Sequence, residues 1–524
     1  MRNWIDRALE PFAPGMVARR VGARMMIQAY EAANPSRLHK AKGETRSADM
    51  ALQVAGKPLR EQARWLDENH DLVTGLLDRL DERVIGAHGI GIEPLPLDKN
   101  GKRHRALASR IKARWAAWSL APETSGELTR PQMERLVARS WLRDGEMLAQ
   151  KIRGRVPNYR YLTETPFALE LLEADYLPFD FDHPERGIYQ GIERNEWRRV
   201  RAYHVYKQHP GDRRGFSLST KRVPAENMIH LAHRKRIGQS RGVSILHAVL
   251  TRLADLKEYE ESERVAARIA ASMTMFIKKG EPHMYGEGGE SGGTSGAGQR
   301  MPDGGRTIPV GPGMMFDGLM PGEDVGTIES NRPSALLEGF RGAMVRAVGA
   351  GTRVGYSTVA RDYNGTYSAQ RQELVEAQLG YEVLQNDFID GWSRPVYRDW
   401  LRMEITTGGI ELPDDLDPDT LYNAFYLAPV MPWIDPSKEA KAWRELVESG
   451  FADEAEVARA RGRNPDELKA SREDEVRINR EKGLVFSSDA FHEHYGGQAN
   501  AEDRQRRRDR RAAADAADGE GDTD

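Results

Sequence analysis

The chain has 524 residues, room for about two to four compact units. With 39% hydrophobic and 30% charged residues it is polar for its length, and its net charge of −3 argues neither for nor against nucleic acid. The lack of cysteine excludes disulfides, cysteine zinc sites and thiol nucleophiles together. The first residues, MRNWIDRALEPFAPG, hold no apolar stretch of the signal-peptide kind. No run of apolar residues reaches the ~18 that a membrane span needs, so no membrane partner is expected.

Residues 1–45 read as a basic, weakly helical arm containing Arg19, Arg20, Arg24 and Lys40. From Ser47 to Ile85 the apolar period is helical, with an interruption expected at Gly56 to Pro58. Leu59, Ala63 and Leu66 share one face, and Val73, Leu76, Leu77 and Leu80 continue at helical spacing. Gly86 to Pro96 breaks the pattern and leaves room for a short strand around Ile90 and Ile92. Helices are expected again over Arg105 to Trp118 and Arg130 to Leu142, the second ending at Asp144-Gly145-Glu146. The period then changes. Ala168 to Ala174 and Val200 to Tyr206 read as strands, among turns at Pro157, Pro166, Pro178, Pro184 and Pro210. Residues 46–236 therefore read as one mixed α+β domain.

The longest uninterrupted helical pattern begins at Ser244, a suitable N-cap, and runs to Ala271, a rod of roughly 40 Å. Leu246, Val249, Leu250, Leu253 and Leu256 form its apolar stripe. A charged middle follows, then the small residues Ala266, Ala267, Ala270 and Ala271, where another helix can approach closely. The tract Gly286 to Gly305 has too little apolar content to offset the entropy of ordering and reads as mobile. A second rod runs from Pro333 to Val348, with proline suited to its first turn and Leu336, Leu337, Phe340, Met344 and Val348 on one side. It breaks at Gly349-Ala350-Gly351, and a polar, aromatic loop leads to Tyr367-Ser368. Helix resumes over Ala369 to Gln385. Another starts at Asp435-Pro436, and Asn464 with Glu467 has the spacing of a capping box. From Gln498 the chain is low-complexity: Arg504 to Arg511 basic, then alanine-rich, then acidic to Asp524. That composition reads as a disordered tail.

A search for catalytic patterns comes back nearly empty. There is no GxxxxGK[ST] phosphate loop, and Gly86, Gly89 and Gly91 are not followed by a helix at the right place. His492-Glu493-His494 lacks the spacing that sets two imidazoles on one helical face. Asp414, Asp415, Asp417 and Asp419, interleaved with Pro413 and Pro418, read as a solvated turn. Gly238-Gln-Ser240-Arg-Gly242 matches GxSxG, but that elbow needs a buried strand before it, and His233-Arg-Lys-Arg236 is too charged. A flexible loop leading into the rod is expected instead. Two features favour DNA proximity. Arg353 and Arg361 in the loop 351–368 can meet phosphates, with Tyr356, Tyr363 and Tyr367 offering amphipathic faces. The arginines between Arg504 and Arg511 form a second basic run. A structural loop with surface arginines is the plainer reading of the first.

Several ordered segments give the chain a family likeness: PLREQARWLDEN (58–69), DGEML (144–148), LLEADYL (171–177), VPAENMIHL (223–231), GQSRGVS (238–244), GTRVGYSTVARDYNGTYSAQR (351–371) and WIDPSKEAKAW (433–443). In their order and spacing the sequence resembles a portal protein of tailed bacteriophages, of the lambda-like branch, from about Leu59 to Leu484. The resemblance implies an α+β portal fold: an arm (1–45), a wing in two parts (46–243 and 369–432), stem helices (244–271 and 333–350), a clip with the glycine-rich insert (272–332), a tunnel loop (351–368), a helical crown (433–497) and the tail (498–524).

It further implies a ring, usually of twelve subunits, at one capsid vertex, assembled in the bacterial cytoplasm, with a channel for double-stranded DNA. The implied partners are the large terminase subunit, the major capsid or scaffold protein and a head–tail adaptor. No catalytic residue, metal or cofactor is implied; the terminase would supply ATP-driven force, in keeping with the missing phosphate loop. On this reading Arg353, Tyr356, Arg361 and Tyr363 face DNA, Tyr356 setting the bore, and Ala266, Ala267, Ala270 and Ala271 pack stem against stem. A conduit must hold DNA loosely, because each neutralised phosphate adds affinity, and the near-neutral net charge suits that need. The competing readings are a packaging nuclease, which needs a metal-dependent site that the sequence does not display, and a capsid or scaffold protein that binds no DNA.

Overall fold

Helices and short antiparallel sheets alternate along the computed structural model, which describes residues 11, 13–27, 43–212, 219–271, 275–279, 299–300, 306–307, 323–327, 337–431, 435–484 and 486. A short helix, α1 (Pro14–Ile27), precedes the core elements. Helix α2 (Ala48–Asn69) begins where the Ser47 side chain accepts the Met50 N–H. The break expected at Gly56 to Pro58 does not occur. Glycine stands at 56 because a Cβ there would come within 2.5 Å of the Phe179 ring, and Pro58 is carried inside the helix. Burial of Leu52, Ala63 and Leu66 overrides the local preference. The break comes at His70, whose extended backbone ends α2 and starts α3 (Asp71–Val84).

Strand β1 (Gly91–Pro94) and helices α4 (Arg105–Trp118) and α5 (Arg130–Asp144) follow where the sequence placed them. Thr129 and Gln132 form a capping box at the start of α5, and Gly145, at φ 90°, ends it. Strands β2 (Glu146–Arg153) and β3 (Phe167–Leu172) pair antiparallel. The chain then forms a four-stranded meander of β4 (Ile188–Tyr189), β5 (Ile192–Arg194), β6 (Val200–Tyr206) and β7 (Thr220–Pro224). Strand β8 (Met228–Ala232) returns to the other edge of β2.

The central rod, α6, runs Leu250–Ala271, six residues shorter than expected at its start. Residues 242–246 are instead buried in the core, and a turn carries the chain into the helix. A Cβ on Gly242 would lie 1.9 Å from the Gly145 carbonyl oxygen, and Ile245 donates its N–H to the Leu142 carbonyl. Ser244 is buried and its hydroxyl accepts the Leu246 N–H at 3.1 Å, so it caps a turn rather than the helix. Beyond α6, β9 (Met275–Lys279) pairs with β12 (Glu323–Thr327), and β10 (Gln299–Arg300) pairs with β11 (Arg306–Thr307). Apart from Gln299 and Arg300, the glycine-rich tract lies outside the described residues, as do Pro333-Ser334 and the tail from Gln498.

Helices α7 (Leu337–Thr352) and α8 (Tyr356–Ala360) precede α9 (Tyr367–Phe388), which leads through a π-helical turn, Ile389–Ser393, into α10 (Arg394–Thr406) without a break. Strand β13 (Ala424–Leu427) then pairs antiparallel with β1, Gly91 opposite Leu427, and sews the two ends of the described core together. The polar helices α11 (Pro436–Glu448), α12 (Glu454–Ala460) and α13 (Pro465–Glu481) close the described chain, capped by Asp435, Asp453 and Asn464 as the sequence suggests for the first and third. One continuous apolar core extends from Ala63 to Leu421 and includes Leu250, Leu253 and Leu256 of α6. Its centre is an aromatic cluster of Trp115, Trp118, Tyr397 and Trp400. A second core beneath the meander joins Leu148, Leu177, Ile192, Tyr203 and Val223. The class is α+β, as expected.

Candidate DNA-facing loop and the buried ion cluster

The stretch 351–368 is only partly a loop. Helix α7 continues through Thr352, and α8 occupies Tyr356–Ala360. The left-handed backbone positions are the two arginines, Arg353 at φ 64° and Arg361 at φ 55°, not Gly349, Gly351 or Gly365. Gly349 is needed for closeness: a Cβ there would sit 2.5 Å from the Val354 carbonyl oxygen. Helix α8 is pinned to α9 because the Ser357 N–H donates to Glu373 at 2.9 Å and the Ser357 hydroxyl meets the same carboxylate.

Arg353, Arg361 and Tyr363 are exposed, and neither arginine makes an ion pair among the described residues. Tyr356 differs from them. It is half-buried, its ring lies 4.6 Å from the Arg346 guanidinium, and its hydroxyl reaches the Asp362 carboxylate at 3.4 Å. The structure thus gathers Arg361, Tyr363 and the exposed Tyr367 on the segment between α8 and α9 and turns Tyr356 toward α7. Arg353 stands before α8, over Gly380 of α9. There, burial and the Arg353 charge push the Lys235 ammonium down, while burial pushes the Asp387 carboxyl up.

Of the stem alanines, Ala266 and Ala267 are half-buried, and the side chains of Ala270 and Ala271 lie outside the described residues. Ala267 lines a cavity of about 680 Å³ together with Leu337 and Arg341 of α7. Ala266 instead shares an outer groove with Ser262 and Val265. Helices α6 and α7 are joined within the chain by Tyr259 against Phe340, ring centroids 4.9 Å apart, and by Arg341 to Glu260 at 2.7 Å.

The sequence reading missed the most highly charged site in the interior. Glu146, the first residue of β2, is fully buried. It accepts from Arg60 at 3.0 Å, Arg241 Nε at 2.8 Å and the Gly242 N–H at 2.9 Å, and His230 Nε2 lies 3.0 Å away. Burial alone would raise its carboxyl, but Arg241, His230 and Arg60 together hold it well below the usual range. Arg241, also fully buried, donates to the Leu177 carbonyl at 2.8 Å and to those of Pro178 and Gln190, and stacks 3.9 Å over Phe179. Arg64 extends the cluster to Asp144 and Asp175.

The flexible loop expected at 238–242 is therefore a buried node: Gln239, Ser240 and Arg241 are all inside. Ser240 gives its N–H and hydroxyl to Asp49 at 2.6 and 2.8 Å, anchoring α2 rather than serving as a nucleophile. Arg60, Glu146, Asp175, His230 and Arg241 come from five of the ordered segments that carry the family likeness, and the fold brings them to one place. A glutamate directly after a helix-ending glycine and before Met147-Leu148-Ala149 was the available signal.

A family model described as "Phage portal protein, lambda family" matches residues 34–385. A protein named "Probable portal protein" from Halomonas phage phiHAP-1 is 23% identical over 470 residues, covering 88% of each chain. Among solved structures, the chain is similar to one in the virion of a native gene transfer agent particle, at 11% identity and a TM-score of 0.43, over 85% of this chain and 99% of that one. It is also similar to an HK97 family phage portal protein from Corynebacterium diphtheriae, at 14% identity and a TM-score of 0.27, over 64% and 85%. Since the family model spans more than half of its length, the chain belongs to the lambda family of phage portal proteins.

Proposed function

We propose that this portal protein assembles as a ring, of twelve copies, around a channel through which double-stranded DNA enters and leaves a capsid. The carrying observation is the family match across residues 34–385, which takes in both helices of the rod pair and the loop after it. On this reading, α6 and α7 are the stem, 272–332 the clip, 351–368 the channel segment, 46–243 and 369–432 the wing, and 433–497 the crown. Assembly takes place in the host cytoplasm, and the terminase, the capsid or scaffold protein and a head–tail adaptor dock on the ring. The chain's task is structural; the motor that drives DNA belongs to a partner.

The channel role needs weak, renewable contacts. Arg361 and Tyr363, exposed on the turn between α8 and α9, and Arg353 before it have no carboxylate partner among the described residues, which suits brief contacts with passing phosphates. Tyr356, held against Arg346, shapes the segment from behind rather than projecting. The test is Arg353→Ala with Arg361→Ala. Rings with an axial hole should form normally in negative stain, and particles should package shorter genomes or retain them less stably. Failure of ring formation assigns these arginines to packing between copies; normal rings with full-length, retained DNA withdraw them from the channel.

A further inference from the structure

Most interior and half-buried arginines of this protein are neutralised: Arg60, Arg64, Arg103, Arg114, Arg139 and Arg143 each meet a carboxylate. One surface departs from that habit. It is made by the hairpin joining β5 to β6 and by the loop after β8. The two touch where the Arg198 guanidinium lies 3.2 Å from the place a Cβ on Gly238 would take; within the hairpin, the Arg194 side chain donates to the Arg198 carbonyl at 2.7 Å. Arg198, Arg199, Arg201, Arg234 and Lys235 are exposed, and none pairs with a carboxylate among the described residues. Their crowding is felt at Arg194, which burial pushes down and which Arg234 and Arg198 push further. At the tips of these two segments stand Trp197, 88% exposed, and Ile237, 104% exposed. Large apolar side chains held in water among unpaired arginines have the composition of a protein-binding hot spot. A phosphate backbone would use the charges but give the isoleucine nothing to pack against.

The complementary chemistry lies on the same chain. After α10 the turn 411–419 exposes Glu411, Asp414, Asp415 and Asp419, with Asp417 half-exposed beside them. Among the described residues the side chain recorded against these carboxylates is the His104 imidazole, 3.6 Å from Asp415, while Lys99 donates to the Asp414 carbonyl instead of its carboxylate. Leu412 is 41% exposed in the same turn. The two patches cannot serve each other within one copy. Lys235 senses Asp387 at the end of α9, and the unbroken helix from Asp387 to Thr406 carries the chain about 28 Å away before the acidic turn begins.

We propose that in the assembled ring the basic, apolar-tipped patch of one copy receives the acidic 411–419 turn of the next copy, with Leu412 against Trp197 and Ile237. This contact rests on the ring reading above. It is head-to-tail, using two different surfaces of each copy, which is the arrangement that closes into a ring.

Charge exchange tests it on the full-length chain. Arg199→Glu with Arg234→Glu should cut the ring fraction in light scattering at least tenfold at low salt, with an unchanged circular dichroism spectrum. Asp414→Lys with Asp415→Lys should do the same. Combining all four should restore rings. Either reversal assembling like the wild type, or a combined variant no better than the worse parent, overturns the contact while the ring itself stands. Normal rings from the basic-patch variant together with lost affinity for a short DNA duplex assign the patch to DNA and overturn it too. A wild-type chain that stays monomeric overturns the ring reading, and this contact with it.

Discussion

Glu146 answers two buried guanidiniums, an imidazole and a backbone N–H at once, and no other described carboxylate has so much depending on it. Glu146→Gln keeps the shape and removes the charge, leaving Arg60 and Arg241 uncompensated in the interior. The expected loss is about 3–5 kcal/mol in urea denaturation of the disassembled chain, the range for breaking a buried pair from one side. His233 gives a pH signature close by. Its ring is buried with Nδ1 3.0 Å from the Val243 carbonyl, and burial lowers it from 6.5 to about 4. The unfolded chain therefore takes up a proton in a range where the folded chain does not. Stability from this group is complete above 6.5 and falls as the pH drops toward 4, by up to about 3 kcal/mol. Asp81, raised from 3.8 to about 7 by burial, works in the opposite sense: the folded chain holds its proton, and stability is lost as pH rises through 7. The readout is thus the difference between wild type and His233→Gln across pH 4 to 7, which should be steepest for wild type on the acid side. Parallel curves would remove His233 from the account.

At the scale of elements, most helices and the strands β1, β3 and β6 were legible, but strand β2 and the strands' partners were not. Asn464, Asp435 and the Arg105–Trp118 period announce themselves locally, because caps and 3.6-residue spacing are properties of neighbouring residues. Strand β2 starts with buried Glu146 and ends in Lys151 and Arg153, so no alternation marks it. The pairing of β1 with β13 joins residues separated by most of the chain, which no local pattern encodes. Helix α6 starts late because Gly242 must pass under Gly145, again a tertiary fact. In the segment 351–368 the helix break expected at Gly349-Ala350-Gly351 falls later, and the left-handed positions are Arg353 and Arg361. Gly349 serves a close approach to Val354, whereas a Cβ on Gly365 would meet only Gln370 at 3.5 Å, an ordinary contact. Gly349→Ala should consequently cost about 1–3 kcal/mol by over-packing α7 against the turn into α8. Gly365→Ala should stay within about 0.5 kcal/mol. Thermal melts of the two variants decide it, and equal effects would contradict the close-approach reading.

At the scale of the whole molecule, the alanines of α6 show what a single chain can and cannot reveal. The sequence pointed to a small-residue stripe for stem packing between copies. Within one chain the stripe divides, since adjacent helical residues face about 100° apart. Ala267 lies at the cavity shared with Leu337 and Arg341 of α7, inside the rod pair. Ala266 lies with Ser262 and Val265 in an outer groove edged by Glu258 and Glu261, a surface with no partner element among the described residues. The two positions should therefore fail differently. Ala267→Leu adds volume where the chain has a cavity of about 680 Å³, so the larger side chain fits and rings form with little change in stability. On the proposed ring reading, Ala266→Leu adds the same volume to a face that would meet a neighbouring copy, where close approach of two helices depends on small side chains. It should leave the isolated chain folded, with an unchanged melting curve, and reduce the ring fraction in size-exclusion chromatography with light scattering, by over-packing worth about 1–3 kcal/mol per contact. Because every copy in a ring repeats the contact, even the lower figure multiplies around the circle and should be plain in the assembly curve. If Ala267→Leu blocks rings and Ala266→Leu does not, the stem packs through the inner face, and the outer groove belongs to some other contact.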